Sequence, residues 1–489
     1  MSDPVQVGEL LPEVLQEVVQ RAGHGYDRWA ELVAQAGYCH HPIRLQGRVE
    51  QADRTTGEVR EVYDSGREPD GVLLKACGTR RESRCPSCAA VYRADAYQLL
   101  AAGLRGGKSV PDTVAEHPRL FVTFTASSFG RVHGRKAQGR LVLPCHPYRQ
   151  GQTCPHGQRA GCWHRHQPDD PRLGEPLCPR CYDSRAQVVW NALAPELWRY
   201  TTTYLDRTLA RLVGVSEAEL RRLVRVSYAK VAEFQRRGAV HFHAVFRLDA
   251  ATECRCPACL APPPTGFTAS LLEVALRETV AAVRVPCPPL EDDGPARYAR
   301  WGEQLDVRNI TKGDDQAGEL SAEQVAGYVA KYATKATETF GSGLDRRLTE
   351  GDLARLELPA HVAELVRACW ELGARPGLAG LRLRAWAHML GFRGHWSTKS
   401  RRYSTTMTAL RRARVQYAKR RRARDGVPLD AWGRAEDDDQ DQAVVVLASW
   451  SYAGCGYQTQ GEVWLALSAA ARARERRRVA REELWTMAA

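Results

Sequence analysis

Lysine is nearly missing from this 489-residue chain: 9 of its 70 basic side chains are lysine and 61 are arginine. Methionine is also scarce, with 4 residues, and phenylalanine numbers 9. No apolar run approaches the roughly 20 residues that cross a bilayer, and residues 443–450 are among the longest. Residues 2–20 are acidic and read as an amphipathic helix, without the basic start and apolar stretch of a secretory signal. These absences lead us to expect a cytoplasmic protein with no membrane partner. In that compartment its 15 cysteines are expected as metal ligands or buried thiols rather than disulfides. What the chain has in excess is positive charge, 70 − 57 = +13. Residues 381–424 carry fourteen Lys or Arg and no Asp or Glu, more than that whole excess. Such a block is an electrostatic footprint for nucleic acid, with a solvated arginine-rich surface as the alternative.

The length suits about three domains. Residues 1–76 read as an N-terminal helical region that ends in a turn-rich stretch. The central region, 77–340, contains cysteine-rich insertions at about 77–118, 145–182 and 254–287. Residues 346–489 read as a basic, mainly helical DNA-binding region, entered through a linker at 341–344 and interrupted by an acidic run at 436–441. Its last helix is expected over 465–487. Within the centre, 120–125 and 305–310 alternate as strands, and helices are expected over 183–192 and 268–283. Residues 223–233 and 240–248 form a hairpin about Arg236-Arg237-Gly238.

On that hairpin His241 and His243 alternate onto one sheet face, while Phe242, Ala244 and Phe246 take the other. A register symmetric about Arg237 sets Glu233 directly opposite His241. Opposed residues share a face, so one carboxylate joins two imidazoles in a mixed N/O site suited to Mn²⁺ or Mg²⁺. A bulge would break this register. Further on, Ser321 and Gln324 make a capping box for a helix on which Tyr328 and Tyr332 share one face, with Lys331 and Lys335 a second pair at the same spacing. A phenol, with an ordinary pKa near ~10, needs help to attack phosphate near neutral pH. A cation can supply that help. The product would be a 5′-phosphotyrosyl protein and a free 3′-hydroxyl, and a second tyrosine allows a second transfer. Core packing of the two tyrosines is the plain alternative.

The strand 121–125, the His241-Phe242-His243 strand and the Tyr328-x-x-Lys331-Tyr332 helix occur in the order of the three motifs of HUH endonucleases. The chain most resembles the rolling-circle replication initiators of actinobacterial plasmids. That likeness extends through residues 233–243, Cys85-Pro86-Ser87-Cys88, Trp386 to Gly391, and Gly394-His395 on to Ser404. The resemblance implies an α+β fold, a palm with a central antiparallel sheet flanked by helices. It implies nicking of a plasmid's double-strand origin, with the 3′ end extended by host polymerase, and it favours Tyr332 as first nucleophile with Tyr328 as its partner. A relaxase or single-strand transposase shares the same chemistry. A non-catalytic zinc-dependent DNA-binding regulator would explain the charge and cysteines alone.

Cys85-x2-Cys88 and Cys178-x2-Cys181 are knuckle-like pairs that together can complete a tetrahedral Zn²⁺ site, with Cys77 a competing ligand. Cys145, Cys154, Cys162 and His166 have the spacing of CCCH fingers, with His156 and His164 as alternatives. Cys254, Cys256 and Cys259 can recruit Cys287 or sit in a proline-rich loop. Residues 103–109 look like a phosphate-binding loop, but the required first glycine falls on Ala102 and no clear strand precedes it. No ATPase is expected, so strand separation would fall to a host helicase. Arg393, His395, Trp396, Lys399, Arg401, Arg402 and Tyr403 interleave aromatics with cations, a mixture suited to single- or double-stranded origin DNA. An amphipathic packing surface is the alternative.

Overall fold

The computed structural model describes residues 10–488 except 24, 150, 255, 292–293, 312–319, 336–339, 341–343, 356 and 425–443. The acidic run at 436–441 and all of the expected linker but Leu344 lie outside the described residues. The chain is a mixed α+β protein of two compact units, Met1–Asp95 with Thr406–Ala489, and Ala96–Thr405.

In the first unit the strand Ile43–Asp53 pairs antiparallel along its whole length with Val444–Cys455, Ile43 lying opposite Cys455. It also pairs with Val59–Asp64 and Leu73–Lys75. Gly47, at φ +152°, runs so close to its partner strand that a Cβ would lie 1.9 Å from the Ser449 carbonyl oxygen, so only glycine fits. The helix Tyr26–Gln35 buries Trp29, Leu32 and Val33, the three-and-four spacing of an amphipathic helix, in a core shared with Val49 and Leu465. This pairing corrects the expected division of the chain. Residues 346–489 are not a separate helical region, because their strand completes a sheet begun near residue 43.

The second unit is built on a six-stranded sheet. Its order is Leu320–Ser321, Trp301–Thr311, Arg119–Ala126, Val240–Ala250, Val224–Phe234 and Ser397–Lys399. Neighbours are antiparallel except the first pair, which is parallel. One face is sealed by the helix Ser184–Val213, whose Trp198 ring lies 5.6 to 5.9 Å from the rings of Phe124, Phe242 and Phe246. That helix runs well past 192 and through Pro195. Burial of Leu197, Trp198, Leu205 and Leu209 outweighs the hydrogen bond that the proline removes.

Polar groups of the same helix fix the hairpin turn. Asn191 donates to the carbonyls of Gly238 and Leu390 and accepts from Val240 N–H. Gln187 donates to the Arg237 carbonyl at 2.9 Å. Gly238 adopts φ +77°, the left-handed conformation that this turn requires.

Lys230 points into the sealed face. It is 4 % exposed, and its ammonium lies 4.0 Å from the Phe242 ring centre and 3.3 Å from the His395 carbonyl oxygen. Burial pushes its pKa down to about 7. Since the unfolded chain keeps the ordinary value near ~10.4, the unfolded state binds more protons between those limits. Native stability therefore carries the full penalty below pH 7 and recovers as pH rises towards 10. Lys230→Met is expected to stabilise the chain at pH 6 by about 1–4 kcal/mol, with the gain shrinking at pH 9. Urea unfolding at the two pH values checks this, and an equal effect at both would show that the ammonium is not the cause.

Candidate active site

Glu233 and His241 are direct cross-strand partners, and no bulge intervenes between them and the hairpin turn. The Glu233 Oε2 lies 3.0 Å from His241 Nε2 and 3.1 Å from His243 Nε2, so three ligand atoms converge. On the adjoining strand Thr123 pairs with His243, its Oγ1 3.1 Å from Nδ1. When Nε2 takes a cation, Nδ1 keeps the proton and donates it to Thr123, which fixes tautomer and ring plane. Phe121 stacks on the same imidazole at 5.9 Å and 8°.

The electrostatics suit a divalent ion. Burial lowers the pKa of His243 in spite of the pull of Glu233, so the ring stays neutral and its lone pair is available. For Glu233 burial acts upward, but hydrogen bonds and charge from His241 and His243 outweigh it, and the carboxylate stays ionised. Two imidazoles and one carboxylate on a single face leave coordination positions open for oxygen ligands.

The helix Ala322–Tyr332 faces this triad. Its capping box is formed, with Gln324 N–H donating to Ser321 Oγ at 3.2 Å and Ser321 N–H to Gln324 Oε1 at 3.0 Å. Val325, Ala326, Val329 and Ala330 are buried, which turns the two tyrosines towards the histidines. Tyr328 Oη lies 3.5 Å from His243 Nε2, and the Tyr332 ring centre is 5.6 Å from that imidazole. The two phenol rings are 4.8 Å apart. The ammonium groups of Lys331 and Lys335 lie 5.8 and 5.4 Å from the Tyr332 ring centre. Burial, then the neighbouring Tyr332 and Glu233, raise the Tyr328 pKa well above the usual phenol, so this hydroxyl stays protonated without a nearby cation.

The family RepSA, described as "Replication initiator protein, pSAM2", matches residues 25–471. The chain belongs to this family of plasmid replication initiators. A protein of Streptomyces ambofaciens named "Replication initiator protein" is 45% identical over 422 residues, which cover 85% of this chain and 84% of that one. No solved structure matches.

Past the triad, the initiator's sheet face opens into a cleft of about 1180 Å³. Thr125, two residues beyond Thr123 on the same face, lines it, as do Gln235 and Gln304. Arg135, Arg284 and Arg300 also line it; they are exposed and have no ion-pair partner among the described residues. Neither this cleft nor the role of Thr123 was evident from sequence. Arg135 lies far in sequence from Arg284 and Arg300, which flank a small strand pair, and Thr123 reads as an ordinary strand threonine until its register is known.

The aromatics of the surface expected at 393–403 are internal, whereas three of its basic side chains are exposed. Trp396 is 8 % exposed and packs 5.3 Å from the Phe234 ring. Tyr403 is fully buried, donates to the Leu100 carbonyl at 3.2 Å, and lies 5.3 Å from the Arg247 guanidinium, itself paired with Asp249. Arg393, Lys399 and Arg402 donate to the carbonyls of Gly380, Ser404 and Thr252 at 2.9, 2.9 and 3.0 Å. Base stacking on Trp396 and Tyr403 is therefore ruled out by burial; Arg393, His395 and Arg401 stay exposed. In the 103–109 segment, Gly103 lies inside the helix Pro86–Arg105, where a Cβ would sit 2.2 Å from the Tyr403 ring. This glycine serves packing.

The cysteines regroup as well. Cys85 and Cys88 meet Cys39 and Cys77, not Cys178 and Cys181, which lie in the other unit with Cys154 and His156. Cys145, Cys162 and His166 converge with His133, which replaces the expected Cys154, and Cys77 is a full member of the first set. His156 joins Cys154, Cys178 and Cys181, while His164 lies beside His166 and Asp170. Cys254, Cys256 and Cys259 gather without Cys287. Knuckle spacing identifies pairs, but the fold of the intervening chain decides which pairs meet.

Thr123→Val keeps the shape of the side chain and removes the partner of Nδ1. It is expected to weaken Mn²⁺ binding about 10-fold or more, measured by titration of the full chain. Unchanged affinity would remove Thr123 from the site.

Proposed function

We propose that this replication initiator is a HUH-type endonuclease that nicks and rejoins origin DNA in the cytoplasm. The convergence of Glu233, His241 and His243 with the Tyr328 hydroxyl 3.5 Å from His243 is the observation that supports this reading most. Tyr328 remains 41 % exposed, which argues against a tyrosine that merely fills a core.

A divalent ion, Mn²⁺ or Mg²⁺, seated on the triad would polarise the scissile phosphodiester. Thr123 holds the His243 tautomer, and Lys331 and Lys335 sit where they can neutralise phosphate oxygens. Tyr332 is assigned the first attack, since both ammonium groups flank its ring. Its phenolic oxygen bonds to phosphorus, the bond to O3′ breaks, the phenolic proton goes to solvent, and O3′ leaves as a hydroxyl after taking up a proton. The protein then carries a 5′-phosphotyrosyl link, and the free 3′-OH primes a host polymerase in rolling-circle replication. Tyr328 is assigned the second transfer. The arginine-lined cleft receives the single strand leading from this point, and strand opening falls to a host helicase.

The same chemistry serves relaxases and single-strand transposases; family membership favours the initiator. A non-catalytic regulator leaves the converged triad and tyrosines unexplained.

Labelled single-stranded origin DNA incubated with the chain and Mn²⁺ is expected to give a protein–DNA adduct stable on a denaturing gel. Tyr332→Phe should lower initial cleavage by at least about 100-fold, and His241→Ala should abolish its metal dependence. No adduct from the unaltered chain rejects the enzyme reading, while full cleavage by Tyr332→Phe moves the first attack to Tyr328. Arg284→Ala with Arg300→Ala should weaken single-strand binding and reduce the slope of log K against log salt by roughly 1.4. An unchanged slope would place the strand elsewhere.

A further inference from the structure

In three of the regrouped clusters, twelve ligand-bearing side chains stand at spacings close to those of a metal tetrahedron. In the first cluster Cys39 Sγ lies 3.8 Å from Cys85 Sγ and 3.7 Å from Cys88 Sγ, and Cys77 Sγ lies 3.6 Å from Cys88 Sγ. A disulfide needs about 2.05 Å. A tetrahedron with metal–sulfur bonds of about 2.3 Å has sulfur–sulfur edges near ~3.8 Å. Backbone N–H groups of His40, Cys77 and Cys88 point at sulfurs of Cys85, Cys39 and Cys85, at 3.4, 3.3 and 3.5 Å. Such donors favour thiolates, and Cys39, Cys85 and Cys88 are buried. Buried thiolates this close repel one another unless a cation lies between them.

The second cluster has the supporting shell of a metal site. His166 Nε2 lies 3.2 Å from His133 Nδ1 and 3.7 Å from Cys162 Sγ, while its Nδ1 donates to Asp170 at 2.7 Å. A carboxylate on the far nitrogen of a buried imidazole fixes it as a ligand. Cys145 completes this set and accepts from Gly134 N–H at 3.1 Å. In the third cluster His156 Nδ1 is 3.1 Å from Cys181 Sγ and 3.8 Å from Cys178 Sγ, with Cys154 as the fourth member. Mixed nitrogen–sulfur edges of a zinc tetrahedron come to about 3.5 Å, within the spread of these values.

We propose that these twelve residues form three separate tetrahedral zinc centres, of Cys₄, His₂Cys₂ and Cys₃His composition. The first ties the end of the strand Leu73–Lys75 and the start of the helix Pro86–Arg105 to Cys39, just beyond the helix Tyr26–Gln35. The second holds His133, next to Arg135 in the cleft wall, and so shapes the cleft itself. Each centre closes loops whose own apolar side chains are few, which makes metal binding part of their folding free energy.

Zinc is counted by elemental mass spectrometry on the full chain carrying His241→Ala, so that the catalytic triad does not contribute. Three zinc atoms per chain are expected. Adding Cys85→Ser with Cys178→Ser should remove two, because the two pairs serve different centres; loss of only one would mean that they share a site and would overturn the assignment. Should that variant fail to fold, the unaltered stoichiometry decides: fewer than three zinc atoms, or iron in their place, rejects the proposal. Metal content is independent of nicking, so this result stands or falls apart from the enzyme reading.

Discussion

The register between two strands is the constraint on which everything else at the candidate site depends. Because side chains alternate, a slip of one residue between Val224–Phe234 and Val240–Ala250 would turn Glu233 away from both histidines and bring Phe242 to the solvent side. The register is secured at the turn, where Asn191 and Gln187 bind the backbone of Arg237, Gly238 and Val240, and on the core face, where Trp198 meets Phe242 and Phe246. A long helix crossing behind the sheet thus determines the chemistry available in front of it. The same helix explains why the proline at 195 is accepted: the contacts around it are worth more than one backbone hydrogen bond.

How much was legible in the sequence follows from the range of the interactions involved. Glu233 opposite His241 could be read because a short hairpin with a glycine turn leaves few registers, and the capping box at Ser321 because it spans four residues. The Cys85–Cys88 pair was legible, but its partners were not, since Cys39 lies 46 residues upstream and nothing local marks it. Charge proved a poor guide to surface. The arginines and aromatics at 393–403 look like a nucleic-acid face, yet Arg402 ends on a backbone carbonyl and Tyr403 lies under Arg247, while Arg393 and Arg401 stay exposed. An arginine count reports how many cations the chain has; only the fold reports which of them face outward.

The tyrosines show the opposing demands of such a site. Tyr328 must approach His243 closely, and in that position burial, the second phenol and the Glu233 carboxylate make its ionisation harder. Lys331, one residue before Tyr332, and Lys335, three residues after it, supply positive charge nearby without entering the imidazole cluster. Glu233 is held ionised, against the effect of burial, by hydrogen bonds and charge from the two imidazoles, while burial lowers the pKa of His243.

The pairing of Ile43–Asp53 with Val444–Cys455 has a consequence for how the chain is made. A ribosome adding roughly 5–20 residues per second releases the earlier strand about 20–80 s before the later one. During that interval the first strand has an unsatisfied edge while Ala96–Thr405 already has every strand of its own sheet. The unit that is translated first is therefore the last to be finished, and chaperones have the longest opportunity to engage it.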